Sequence, residues 1–232
     1  MEDLSEALSL NEVPGRNPFH SCSWEKKAWP SLKSLASWFT DLTLRVDDLE
    51  KWSSELQLPF SLWLPSLFNP TAFLTAVMQV TARKNKLPLD NMTTATHVTT
   101  MRNRSQAQVY PPDGAFVHGL YMQGARWADP EEAETNKEPV EGIDCAGMIV
   151  ESRLKELLPI MPVLYIKAVP TQKEWEATAV GYMRPDADSY MCPVYATTFR
   201  GPTYVFLATL KTQEPTWKWV LAGVALMMQT DD

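Results

Sequence analysis

The sequence lacks a disulfide framework. Its three cysteines, Cys22, Cys145 and Cys192, are odd in number, far apart and without a CxxC pair. Such usage reads as free thiols in a reducing compartment. A basic excess is also missing. The formal charge is −7, whereas neutralising phosphates takes clustered Lys and Arg, so nucleic acid is excluded as the default partner. The local cluster Arg83, Lys84 and Lys86 falls at the end of a predicted helix, where cations meet the negative end of the dipole. The N-terminus carries Glu2, Asp3 and Glu6 where a signal peptide would be basic. The apolar run at 219–228 is too short to span a bilayer, so no membrane partner is expected. The expected compartment is the cytoplasm.

Chemical motifs are missing too. GLYMQG at 119–124 has the spacing of a phosphate loop, but Ala125 and Arg126 follow where Lys and Ser/Thr would hold phosphate and Mg²⁺. His20, His97 and His118 show neither HExxH spacing nor a cysteine at metal-ligand distance. There is no GxSxG elbow, and the acidic residues gather in loops. No catalytic residue, metal ligand or cofactor site is therefore assigned, and by itself the sequence reads as a non-enzyme.

What is present is bulk apolar material. Hydrophobic residues make up 45% of 232, with nine tryptophans and eighteen prolines. A polypeptide of this length can bury roughly 70–75% of its unfolded surface, so its core needs no staples. Many tryptophans suggest large amphipathic surfaces, and many prolines suggest short elements. Residues 1–29 read as an extended or short-helical docking segment. Residues 30–90 read as a helical subdomain. Its long helix over 31–57 carries Leu32, Leu35, Phe39, Leu42, Val46, Leu49 and Leu56 in steps of three and four. Pro30 is expected in its entry turn and Pro59 beyond its end. A shorter helix starts at Asn69-Pro70, has Phe73, Val77 and Val80 on its inner face, and ends at Arg83 and Lys84.

From residue 91 to 232 β-branched residues and Gly/Pro punctuation replace helical periodicity. Strands are expected over 94–100, 115–126, 163–168, 191–197, 203–210 and 218–227, although 220–228 is equally readable as buried helix. Polar insertions are expected near 129–147 and 171–189. The fold class is α+β: N-terminal helices, one long and one shorter, then a small antiparallel β-barrel or strongly curved sheet.

Several blocks in order carry a resemblance: WEKKAWPSLKSLASWFTDLTLR at 24–45, WLPSLFNPTAFLTAVMQVTAR at 63–83, GAFVHGLYMQGARW at 114–127, MPV at 161–163, CPVY at 192–195, RGPTYVF at 200–206 and WVLAGVALMM at 219–228. Each is weak alone; together they resemble the C-terminal domain of dynein heavy chains, most closely axonemal outer-arm chains. Ala128 stands where the family usually has Asp, and Gln123 where Glu is common. The resemblance implies a non-catalytic domain that lies on the AAA+ ring of the same heavy chain and braces it, in the axoneme of a cilium or flagellum. Through the ring, the implied partners are the intermediate, light intermediate and light chains and microtubules. ATP hydrolysis and microtubule binding would belong to other parts of an ATP-driven, minus-end-directed motor. The ring-facing candidates are Trp38, Trp52, Trp63, Leu64, Leu67 and Phe68. The alternative is a free-standing adaptor derived from such a protein, without motor activity.

Overall fold

The computed structural model describes residues 28–31, 33–129, 147–151, 161–170, 189–212 and 214–228. Nearly all of the expected 1–29 docking segment and of both polar insertions lies outside these residues.

The long helix, α1, spans Leu35–Glu55. It begins later than expected, and Pro30 is not in its first turn. Ser31 Oγ accepts from the Lys33 backbone N–H at 3.2 Å, holding the backbone in a turn before Ser34 takes the N-cap. At the other end Leu56 adopts left-handed φ (52°) and its N–H returns to Trp52 O. The buried face of α1 is only partly the expected stripe, of which Leu35 is buried. Leu35, Trp38, Asp41 and Arg45 point inward, whereas Phe39, Val46 and Leu56 are exposed. Leu42 packs at the border. The rotation follows from Trp38: its large ring stacks inside and brings Asp41 and Arg45, one and two turns on, with it.

A two-residue strand, β1 (Leu62–Trp63), leads through a tight turn into α2 (Pro70–Asn85). The start of α2 is as expected: Asn69 is the N-cap, its side chain accepts from Ala72 N at 3.1 Å, and Pro70 opens the helix. Arg83 and Lys84 occupy its last turn. Its inner face differs. Leu74, Val77, Met78, Thr81 and Ala82 form the inward set, with Phe73 packed on the main core, and Val80 is 65% exposed. That set has the i, i+3, i+4, i+7, i+8 spacing of a core-facing helix, and polar Thr81 concealed it.

The remaining strands are β2 (Met92–Val98), β3 (Ala115–His118), β4 (Leu120–Gln123), β5 (Ala125–Trp127), β6 (Met148–Val150), β7 (Leu164–Pro170), β8 (Ser189–Tyr195), β9 (Tyr204–Lys211) and β10 (Ala225–Met228). One sheet has the order β1-β3-β7-β2, a second β4-β10-β8-β9, and β5 pairs with β6. The expected barrel is not closed among the described residues. Strand β2 lies alongside β9 at the edges of the two larger sheets without ladder pairing. Nor is the sheet wholly antiparallel, since β1 runs parallel to β3 and β10 parallel to β8.

Two glycines explain why the single strand expected over 115–126 is three. Gly119 (φ +86°) and Gly124 (φ +82°) take backbone that L-residues avoid. Gly119 turns the polypeptide from the first sheet into the second. A Cβ there would lie 2.5 Å from the Trp63 ring and 2.8 Å from Pro65. GLYMQG is thus a buried strand between two turns, not a phosphate cradle. Gly119→Ala should cost about 2–4 kcal/mol, combining left-handed strain with overpacking. Chemical denaturation should show this as a lower midpoint at unchanged slope.

The C-terminal block also departs from expectation. Pro215 caps a short helix, α3 (Thr216–Leu221), and Gly223 (φ +64°) turns the backbone into β10. Only Trp219 of this helix is buried, at 0% exposure; Trp217, Val220 and Leu221 face outward. All four residues of β10 are buried, because it is an interior strand covered on both faces. The main core joins both larger sheets: Leu62, Val117, Leu164 and Ile166 from the first, and Met122, Cys192, Val194, Leu210 and Leu226 from the second.

Candidate functional site

A knot of aromatic and charged side chains attaches α1 to the rest of the molecule. Trp29 stacks on Trp38 (centroids 5.2 Å apart, planes 12° apart) and meets Phe68 edge-on at 5.5 Å. The Arg45 guanidinium lies 4.0 Å over the Trp29 ring and donates from Nη1 to the Pro65 carbonyl. Lys33 Nζ reaches Asp41 Oδ1 at 2.9 Å. Burial pulls Arg45 down to about 10, opposed by Asp41. It therefore stays cationic at neutral pH.

The six candidates separate by burial. Trp38, Trp63 and Leu64 are buried against their own domain. Trp52 and Leu67 are partly buried and pack on the main core. Phe68 is 42% exposed at the edge of the knot. The knot brings Trp38 and Phe68 together through Trp29. Trp63 is directed instead to the Gly119 turn.

Sequence reasoning missed Asp41 and Arg45, which are 2% exposed each. The available signal was an Asp–Arg pair at i,i+4 on the tryptophan side of the helix. It missed Arg200 as well. Arg200, at φ 55°, donates to Gln123 Oε1 at 2.8 Å and to Gly223 O at 2.7 Å. It ties the β8–β9 connection to β4 and to the turn before β10.

Groups with chemical potential have structural employment. Burial pushes the Cys192 thiol up to about 12, so it is no thiolate at neutral pH. His118 Nδ1 lies 2.9 Å from Ser61 Oγ and fastens the entry of β1 to the end of β3. Burial, and then Lys167 and Lys211, hold His97 below its usual value. Among the described residues no group of three or more His, Cys, Asp or Glu could hold a metal, and no helix is long and apolar enough to cross a membrane.

The outer face of α1 is the remaining feature. Phe39 and Val46 are 42% and 47% exposed, two turns apart on one side of the helix. They belong to the stripe whose periodicity marks a face made for burial. Nothing among the described residues covers them.

The family model for the C-terminal domain of dynein heavy chains matches residues 1–228. The dynein beta chain, ciliary, of Heliocidaris crassispina is 44% identical over 229 residues, which is 99% of this sequence and 4% of the relative's own length. Dynein axonemal heavy chain 17 of Homo sapiens is 43% identical over 99% of this sequence and 4% of its own length. The dynein beta chain, flagellar outer arm, of Chlamydomonas reinhardtii is 41% identical over 98% of this sequence and again 4% of its own length. The protein described here thus spans about 4% of the length of these curated relatives.

Proposed function

The chain belongs to the family formed by the C-terminal domain of dynein heavy chains, and on that footing we propose that it is the non-catalytic end of an axonemal heavy chain, bracing the AAA+ ring of that protein. The observation that carries this reading is the uncovered stripe of α1. A helix of 21 residues is about 30 Å long, enough to cross more than one neighbouring module. It is held to its own domain by the Trp29–Trp38–Arg45 knot on one side and offers Phe39 and Val46 on the other. An element fixed to a rigid sheet body and touching several ring modules makes their movements interdependent when its contacts differ between ring states. The domain would thereby modulate microtubule-based ciliary motility. ATP hydrolysis, the other dynein chains and microtubules would connect to it only through the ring, and its place would be the axoneme.

The test adds this protein to a heavy-chain ring preparation lacking its own C-terminal domain and measures association by cross-linking. Exposed Lys51 on α1 should cross-link to ring modules. Phe39→Glu with Val46→Glu should abolish those cross-links while leaving the melting temperature within a few degrees of wild type, since both side chains are exposed. A double variant that still docks on the ring would sink the reading.

A further inference from the structure

With Trp38 turned into the knot and Trp52 onto the main core, the apolar residues left on the outside of α1 form one narrow row. Phe39, Leu42, Val46, Leu49 and Leu56 recur at steps of three, four, three and seven, interrupted by Ser53. Leu42 and Leu49 are half-buried, and Phe39, Val46 and Leu56 are exposed. A row of this period keeps to one side of a helix, which is the pattern of a seam with a second helix. Its two borders differ. One is the knot. The other is the row Thr43, Asp47, Glu50 and Ser54, spaced by three or four residues and therefore on one side of the helix. Thr43 and Ser54 return their hydroxyls to the Phe39 and Lys51 carbonyls, so the groups presented outward along this border are the two carboxylates. Asp47 and Glu50 are exposed, and neither has an ion pair among the described residues, although Lys51 follows Asp47 by one turn.

We propose that this face binds an amphipathic α-helix of a partner protein whose apolar row is flanked by Lys or Arg. The partner's apolar row would interlock with Phe39, Val46 and Leu49. Its flanking cations would meet Asp47 and Glu50 as charged flanks meet across a coiled coil. The charge of the open border decides among occupants. An antiparallel second copy would set carboxylate against carboxylate. A membrane surface carries anionic headgroups, which attract helices with a basic polar face and repel this one. An extended strand needs unpaired backbone groups from its host, and the side of a helix offers none. This partner chemistry rests on the reading of α1 as the ring-facing element, and it names what the ring presents there.

The experiment titrates the whole protein with two stapled helical peptides of about three heptads, which share Leu at the seam positions and differ only in flanks of Lys or of Glu. The backbone amides of Phe39, Val46, Asp47 and Glu50 are followed by NMR. The Lys-flanked helix should shift them saturably at roughly 0.1–1 mM, as suits one exposed helix face. The Glu-flanked helix should bind roughly ten-fold more weakly at low salt, and the ratio should fall toward one in about 0.5 M NaCl. Asp47→Lys with Glu50→Lys should invert the preference while melting within a few degrees of the wild type, because both side chains are exposed. Equal binding of the two helices at low salt, or an unchanged preference in the charge-reversed variant, overturns the proposal. So does a concentration-dependent dimer of the unaltered protein that shifts the same amides without peptide, which gives the face to a second copy. Co-sedimentation of the charge-reversed variant with the ring preparation separates the two readings. Loss of docking supports the basic helix, whereas retained docking overturns it and leaves ring bracing standing.

Discussion

Trp219→Ala is expected to cost about 3–5 kcal/mol, the largest loss from any single truncation in the molecule. Trp219 is fully buried, and its indole N–H donates to Thr212 Oγ1 at 2.9 Å. The same residue holds α3 onto the sheets and sets the turn into β10, since Val224 N returns to Trp219 O at 3.0 Å. Strand β10 is bonded on one side to β4 and on the other to β8, so a loosened turn disturbs the middle of a sheet. Truncation would leave a cavity and remove the indole bond to Thr212, whose hydroxyl would keep only its contacts with the Glu214 backbone. Thermal melts should show the loss as a drop of more than about 5 °C, and Trp219→Phe should recover much of it. An alanine variant that melts like the wild type would mean that α3 is peripheral.

Arg45→Met is expected to destabilise by about 2–4 kcal/mol, and a second substitution should correct it. The guanidinium satisfies Pro65 O, covers Trp29 and offsets Asp41, all in a buried setting. Removing it leaves buried Asp41 with the Lys33 contact but without the nearby cationic charge of Arg45. Breaking a buried pair by taking one partner costs more than replacing both with apolar groups. The double variant Asp41→Leu with Arg45→Met should therefore be more stable than Arg45→Met alone. Urea midpoints of the two singles and the double complete a mutant cycle. A double variant no better than the sum of its singles would mean that Asp41 and Arg45 do not act as a pair.

Much of the local structure was legible from neighbouring residues. Asn69-Pro70 set the start of α2 because the cap is a bond from a side chain to a backbone three residues away. The strands expected over 94–100, 163–168, 191–197 and 203–210 lie within a few residues of β2, β7, β8 and β9. The short strands β1 and β6 were not foreseen, because two or three residues carry no readable alternation. The site was legible only in its parts. Trp38 and Phe68 stood out as aromatics, but that Trp29 would join them depended on a turn at Ser31 and Lys33.

By itself the sequence determined the α+β class, two helices ahead of all strands but the short β1, the lack of Lys and Ser/Thr after GLYMQG at 119–124 and, through its ordered blocks, the family. These depend on local backbone chemistry and on residues being present. Only the tertiary structure decided which way each surface points. The aliphatic stripe of α1 satisfies helical periodicity, yet Trp38, Asp41 and Arg45 take the inner face. Periodicity measures how apolar a face is, whereas burial is decided by competition among side chains from distant segments. A stacked tryptophan pair with a buried cation outweighs a row of aliphatics there. For the same reason β10 could not be told from a helix. A strand covered on both faces has no period to read. Its identity came from pairing with β4 and β8, whose distance along the sequence leaves no local trace in the residues of β10 itself.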